Sequence, residues 1–403
     1  MKEILKNSFI LSISEVLLKL SKLISFVVIA NVYSVEYLGI FNYIVSFLLV
    51  FFIIGELGIN TYITTEQSKL RNFPNPNIMA IGIFKILIVF VMMLLSFCMY
   101  FLLGNENEII MLFVALLIFS DTILTMIYSF YRAVDKYKYE FYFKIVQSTI
   151  YCTISFLVYY WYEINFIYFI ATISLCNLFL SLYSLYILTN FKFYFINSIL
   201  YIKKNFLNNF KHILPIFLTT VFTTLYFRID IIMIESLIGI QSVGYYSVAY
   251  KLIEGAMVIP LMLGVIFLSK LSTQKRDMKK DLLLHFILGL IIFIAFYYTV
   301  SIIIDILFAD TYQPAVKIAQ ILSFSIIIMS INTYLFNYFI ANKNTYINVK
   351  ITLIMLLLNL ILNLIFIPIY GMSAAAYTTV GTELVGMIAL LYYVKRYYVS
   401  SQL

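Results

Sequence analysis

Of 403 residues, 63% are hydrophobic and only 11% are charged, less than half the roughly 25% charge of a soluble domain. That excludes an ordinary soluble fold and implies an integral membrane protein. The net charge of +8 does not imply nucleic acid, because the basic residues fall in short segments between apolar stretches, where membrane topology puts them.

A helix needs about 20 mostly apolar residues to cross a bilayer. By that measure the sequence predicts twelve spans, with approximate limits 8–30, 38–58, 78–103, 109–131, 142–161, 165–188, 213–236, 244–269, 282–308, 315–340, 346–367 and 372–394. The first is interrupted by Glu15, Lys19 and Lys22 and followed by no small-residue cleavage site, so it reads as a retained helix and not as a cleaved signal peptide. Cys98, Cys152 and Cys176 all fall within apolar spans. They read as buried, without the spacing of a disulfide framework or a metal site.

The connecting segments separate by charge. One set carries Lys2 and Lys6; Lys69 and Arg71; Arg132, Lys136 and Lys138; Lys192, Lys203, Lys204 and Lys211; Lys270, Lys275, Arg276, Lys279 and Lys280; Lys343; and Lys395 with Arg396. The alternate segments, 31–37, 104–108, 162–165, 239–243, 309–314 and 368–371, hold no Lys or Arg. Basic loops stay in the cytoplasm, so both termini are expected there.

The longest connection falls at mid-chain and mixes aromatics with lysines, as a segment lying on an anionic inner leaflet would. The expected organisation is a six-helix bundle over 1–190, an amphipathic cytoplasmic linker over 191–212 and a second six-helix bundle over 213–403. A faint internal repeat agrees. Leu38-Gly39-Ile40-Phe41 at the start of span two resembles Val243-Gly244-Tyr245-Tyr246 at the start of span eight. The same offset sets span six over span twelve, and parallel repeats of this kind are common in transporters.

Charges inside apolar spans are the main functional signal, since each is costly unless it faces a partner or a wet cavity. Glu15, Lys19 and Lys22 share one helix face, with Glu15 placed to pair with Lys19. Span seven carries Arg228, Asp230 and Glu235, and span eight carries Lys251 and Glu254 ahead of Pro260, which is expected to kink that helix. In the repeat, Arg228 falls within about one residue of Lys22. Asp121 in span four and Glu383 in span twelve read as lone carboxylates, and burial favours the protonated form of such a group.

Lys19, Lys22, Arg228 and Lys251 are therefore candidate ligands for an anionic group such as a phosphate or pyrophosphate. Glu15, Asp121, Asp230, Glu254 and Glu383 are candidates for ion coupling or charge balance. The plainer alternatives are local ion pairs and snorkelling lysines, with Asp230 and Glu235 capping span seven in the outer headgroup region. Glu56, Lys85, Asp305, Lys317 and Lys350 read as interfacial, as do His212 and His285. There is no phosphate loop, no Asp-x-Asp pair and no large outer loop, so the expectation is a transporter and not an enzyme, without cofactor or metal.

The segments 228–254, RIDIIMIESLIGIQSVGYYSVAYKLIE, 36–59, EYLGIFNYIVSFLLVFFIIGELGI, and 367–383, IPIYGMSAAAYTTVGTE, resemble bacterial polysaccharide-export flippases. These are the Wzx-type O-antigen transporters of the multidrug/oligosaccharidyl-lipid/polysaccharide exporter superfamily. The resemblance implies an all-α membrane protein of twelve transmembrane helices, in two six-helix bundles around a central cavity, working by alternating access. It implies a polyprenyl-pyrophosphate-linked oligosaccharide as cargo, flipped from the inner to the outer leaflet of the cytoplasmic membrane. A proton or sodium gradient is expected to drive the step. Membrane lipids, and other polysaccharide-assembly proteins, are the expected neighbours. In related flippases, basic residues of the first and eighth helices hold the pyrophosphate. Lys19, Lys22 and Lys251 match those positions with Lys where Arg is frequent, which changes bidentate to point-charge binding. A cation-coupled drug exporter of the same fold, and a membrane-embedded glycan transferase or polymerase, remain the alternatives.

Overall fold

The computed structural model describes residues 2–70, 73–161, 164–189, 207–271 and 277–400, and their regular structure is helical. In chain order the helices are α1 (Lys2–Val32), α2 (Val35–Glu56), α3 (Ile59–Gln67), α4 (Pro76–Leu102), α5 (Glu108–Ala133), α6 (Tyr137–Tyr160) and α7 (Phe166–Thr189). They continue with α8 (Leu207–Ile238), α9 (Ile240–Ala256), α10 (Val258–Leu271), α11 (Met278–Leu307), α12 (Pro314–Ala341), α13 (Thr345–Tyr370) and α14 (Met372–Ser400). Each apolar stretch of the sequence coincides with helix. Among the described residues, ten helices are long and apolar enough to cross a membrane, or eleven if the bent pair α9 and α10 forms one span. The α2–α3 stretch counts as one of these, and α1, interrupted by its three charges, is not among them. Of the linker expected over 191–212, residues 191–206 lie outside the described residues, as do Arg71, Lys275 and Arg276, while 207–212 belong to the start of α8.

The helix ends follow local chemistry. Ser34 caps α2 by accepting from the Tyr37 amide, Asn75 caps α4 ahead of Pro76, and Asp277 caps α11, each satisfying a first-turn N–H that has no intrahelical partner. Two spans are broken. Leu57 and Gly58 take left-handed φ of 47° and 67° between α2 and α3; a Cβ on Gly58 would also lie 2.6 Å from Ile213 Cγ2. The second break bends α9 against α10 by 42°. It falls at Met257, three residues ahead of the expected kink at Pro260. The reason is that a proline ring clashes with the carbonyl four residues back, which here belongs to Ala256, the last residue of α9.

Contacts divide the chain into two compact units. The first comprises the described residues of Met1–Tyr37 and Phe47–Phe217. In it α1 runs along α6, and α5 packs against α7, α3 and α4, around a core that includes Ile59, Tyr62, Met79, Ile127 and Phe130. The second comprises Leu38–Ser46 and Leu218–Leu403. Its central helix is α12, which packs on α11, α14, α9 and α10, with Phe267, Tyr334, Phe339 and Leu390 in the core. Because lipid tails are as apolar as Leu, such helices are selected by close packing and polar contacts more than by hydrophobicity. Gly39 illustrates this within the second unit: an added Cβ would lie 2.2 Å from the Ile240 carbonyl oxygen and 3.3 Å from the Gly244 amide nitrogen. The two glycines of the sequence repeat thus meet at one backbone contact.

Three local expectations are corrected. The cysteines are free but not buried: Cys98 is exposed, and Cys152 and Cys176 are half-buried. Lys85 is not interfacial but only 1% exposed; it donates to Glu56 Oε1 at 2.7 Å and Asn60 Oδ1 at 2.9 Å, which neutralises it beside the α2–α3 break. His285 is wholly buried, ringed by Phe267 and Tyr334, with the Ser330 hydroxyl donating to its backbone carbonyl at 2.9 Å. The side chain of His212 lies outside the described residues.

Candidate functional site

In the first unit, helices α1, α5, α6 and α7 bring polar side chains together between apolar faces. Lys22 Nζ donates to Asp121 Oδ2 at 2.7 Å. The other carboxylate oxygen, Oδ1, accepts from Gln147 Nε2 at 2.7 Å and Asn177 Nδ2 at 2.9 Å. Asn177 Nδ2 also donates to Ser120 Oγ at 2.9 Å. Asp121 is therefore not a lone carboxylate: it is held by one cation and two amides. Lys22 also stands 5.5 Å from the centre of the Tyr151 ring, and α1 is tied to α6 again where Ser25 and Ser155 hydroxyls meet at 2.7 Å.

Glu15 does not pair with Lys19 as its helical spacing suggested. Its Oε2 accepts from Lys144 Nζ of α6 at 2.6 Å, and Lys144 also lies 2.7 Å from Glu140 Oε1. Glu140, fully buried, takes the Arg132 guanidinium on both oxygens, with Nε at 2.7 Å from Oε2. An interhelical partner that is itself buried outcompetes an exposed neighbour on the same helix, since charge interactions strengthen as water is excluded. Lys19 is exposed and, among the described residues, is in no ion pair.

In the second unit two polar groups form. At the first, Arg228 Nη2 lies 3.5 Å and Lys251 Nζ 3.0 Å from the Glu254 carboxylate. Two cations share one anion, and all three side chains retain a quarter to a third of their exposure. At the second, Asp230 is only 2% exposed, so it does not cap the helix in a headgroup layer. Its oxygens accept from Tyr246 at 2.9 Å, Thr379 at 2.8 Å and Asn363 Nδ2 at 2.7 Å. Asn363 Nδ2 also donates to Asn359 Oδ1 at 3.0 Å, and Thr378 donates to Asn363 Oδ1. The donors come from α9, α13 and α14 and all are neutral. Among the described residues no cationic side chain lies within ion-pair distance of Asp230, so its buried charge is met by neutral donors alone, a setting in which a proton or a small cation would relieve the cost of burial.

Glu383, on α14, is 3% exposed and accepts from Asn332 Nδ2 at 2.8 Å. At the preceding residue, the Thr382 hydroxyl and the Tyr226 hydroxyl share a hydrogen bond at 2.8 Å. Among the described residues Glu383 has no cationic partner within ion-pair distance, and Asn332 Oδ1 has no hydrogen-bond partner. Glu235 is half-buried on the last turns of α8 and, among the described residues, is in no ion pair.

Several residues of these groups were not singled out from the sequence: Lys144, Glu140 and Arg132 in one unit, and Asn359, Asn363, Tyr246 and Thr379 in the other. Helical spacing carries part of the signal. Glu140 with Lys144, and Asn359 with Asn363, are four apart and share a face, while Thr378, Thr379 and Thr382 cluster on α14. The partners that Lys144, Asn363 and Thr379 find on other helices, Glu15 and Asp230, lie over a hundred residues away, and no local pattern announces that.

Residues 4–271 match the family described as polysaccharide biosynthesis protein. The capsular polysaccharide biosynthesis protein CapF of Staphylococcus aureus is 25% identical over 409 residues, covering 97% of this chain and 99% of CapF. Among solved structures, the lipid II flippase MurJ in an inward closed conformation is similar with a TM-score of 0.71 at 17% identity, over 97% of this chain and 87% of that one. An inward-facing multidrug resistance MATE family transporter of the MOP superfamily is similar with a TM-score of 0.69 at 11% identity, over 96% of both chains. The chain therefore belongs to the polysaccharide biosynthesis protein family, a Wzx-like group of membrane transporters, and has the fold shared by MurJ and the MATE transporters of the MOP superfamily.

Proposed function

We propose that this protein is a flippase that moves a polyprenyl-pyrophosphate-linked oligosaccharide, an O-antigen or capsule repeat unit, from the inner to the outer leaflet of the bacterial cytoplasmic membrane. The observation that carries this reading is the pairing of membrane-helix cations with carboxylates: Lys22 with Asp121, and Arg228 and Lys251 with Glu254. A pyrophosphate arriving at such a cation replaces one anion with another, so the cation is never left uncompensated in a low-dielectric setting. The displaced carboxylates keep other partners: Asp121 retains Gln147 and Asn177. Family membership supports a glycan cargo, and the name of the Staphylococcus aureus relative supports capsule among the possibilities.

In this reading the halves 1–190 and 213–403, joined by 191–212 on the inner leaflet, alternate access to a central cavity while both termini stay in the cytoplasm. Lys19, Lys22, Arg228 and Lys251 receive the pyrophosphate, and the lipid tail remains in the bilayer. Asp230 holds the coupling ion, sodium or a proton, within its ring of neutral donors, and Glu383 is a second ion-responsive carboxyl group. Glu15, Asp121 and Glu254 balance charge between cargo cycles. The protein acts as a transporter and not as an enzyme, alongside other polysaccharide-assembly proteins.

The test is a deletion strain lacking redundant flippases. It should accumulate lipid-linked sugar units on the cytoplasmic face and lose surface polysaccharide, with drug sensitivity unchanged. Normal surface polysaccharide together with heightened drug sensitivity would replace this reading by a drug exporter.

A further inference from the structure

We infer that Lys144, backed by Glu140 and Arg132, is a positioning residue for cargo binding: by holding Glu15 it keeps Lys19 out of a close ion pair, and Lys19 makes the first contact of this half with the pyrophosphate. This rests on the flippase reading. Four charges at the α1–α5–α6 contact cancel among themselves, because Lys144 bridges Glu15 and Glu140 at 2.6 and 2.7 Å while Arg132 covers Glu140. Lys22 and Asp121 cancel as well. Of the α1 lysines whose side chains are described, Lys22 is in an ion pair and Lys19 is in none, and Lys19 is exposed.

Nothing on α1 itself produces this outcome. Glu15 four residues before Lys19 is the favourable order for a helical ion pair, and an isolated α1 would form it. The pair is prevented by an element across the helix interface. Lys144 is 3% exposed, so it is not a ligand for a bulky headgroup; its reach goes to the two carboxylates. An exposed lysine without a counterion within an apolar helix is costly. It is retained at lower cost where it either reaches the interface along its own stem or meets an anion, and the experiment separates the two.

Purified full-length protein in lipid nanodiscs is titrated with a fluorescent polyprenyl pyrophosphate. Lys144→Met frees Glu15 to pair with Lys19 and weakens binding about fivefold, while Lys144→Arg, which keeps the charge, binds as wild type. Adding Glu15→Gln to Lys144→Met restores binding to within about twofold of wild type, although the interhelical bridge is still missing. A purely structural role predicts the reverse, a double variant no better than the single one. Lys19→Met weakens binding by a similar factor, and Lys144→Met adds nothing to it. Wild-type affinity in Lys144→Met or in Lys19→Met, or no recovery in the double variant, overturns the inference. A wild-type protein that fails to bind the lipid overturns the flippase reading and this assignment with it, an outcome distinct from variants that fail to differ.

Discussion

Lys22 and Asp121, ninety-nine residues apart, meet at 2.7 Å between α1 and α5. Each was a candidate for a separate task from the sequence, one for an anion and the other for a coupling ion. Under the proposed function they form one exchangeable unit, in which cargo and carboxylate compete for the same lysine. The two side chains keep about a third of their exposure, 36% and 29%, so removing one partner falls between the exposed and the buried case. Asp121→Leu is expected to cost about 1–3 kcal/mol, and Lys22→Met with Asp121→Leu should recover part of that. Thermal unfolding of the purified variants checks this. A double variant less stable than either single one would contradict the pairing.

The Asp230 group leads to an ion-dependence prediction. If a monovalent cation binds there, adding it raises the unfolding temperature, by the equivalent of about 2.7 kcal/mol at a hundredfold excess over Kd. Wild-type protein titrated with sodium chloride against choline chloride should show the rise, and Asp230→Asn should abolish it. An equal rise in both proteins would place the ion elsewhere. No sodium effect in the wild type, with a pH-dependent rise absent from Asp230→Asn, would identify the proton instead.

Arg228 and Lys251 share Glu254 at 3.5 and 3.0 Å. Arg228→Ala and Lys251→Ala should each lower export about fivefold or more, as expected for loss of a charge-assisted contact to an anion, without preventing membrane insertion. The check is surface polysaccharide in the complemented deletion strain, alongside protein levels in the membrane fraction. Wild-type export from both variants would remove them from the site.

Gly39 offers a packing prediction. A Cβ there would lie 2.2 Å from the Ile240 carbonyl oxygen, and a backbone atom cannot rotate away as a side chain can. Gly39→Ala should therefore destabilise by about 1–3 kcal/mol, the usual cost of forced overpacking, whereas Ala at Gly255, where the added Cβ meets nothing within 4 Å, should cost far less. Equal unfolding temperatures for the two variants would show that the α2–α9 contact relaxes freely.

Where sequence reasoning fell short, the cause was a distant partner. Lys85 was read as interfacial because it lies near a span end, yet it is buried against Glu56 and Asn60, which the α2–α3 break carries toward α4. The plainer alternative for Asp230, a cap in a headgroup layer, fails because three other helices enclose it. The kink expected at Pro260 was legible to within a turn, because the proline clash acts locally on Ala256.

What the sequence determined by itself was the helices and the charges among them. A bilayer-length run of apolar residues must satisfy its own backbone hydrogen bonds, and in hydrocarbon only a helix does so within one segment. What the tertiary structure alone decided was which charge neutralises which. Glu15 had a partner available four residues along its own helix, and the fold gave it Lys144 instead, because burial between helices strengthens one ion pair over the other. The chemistry of each cation follows from that choice and not from its position in the chain.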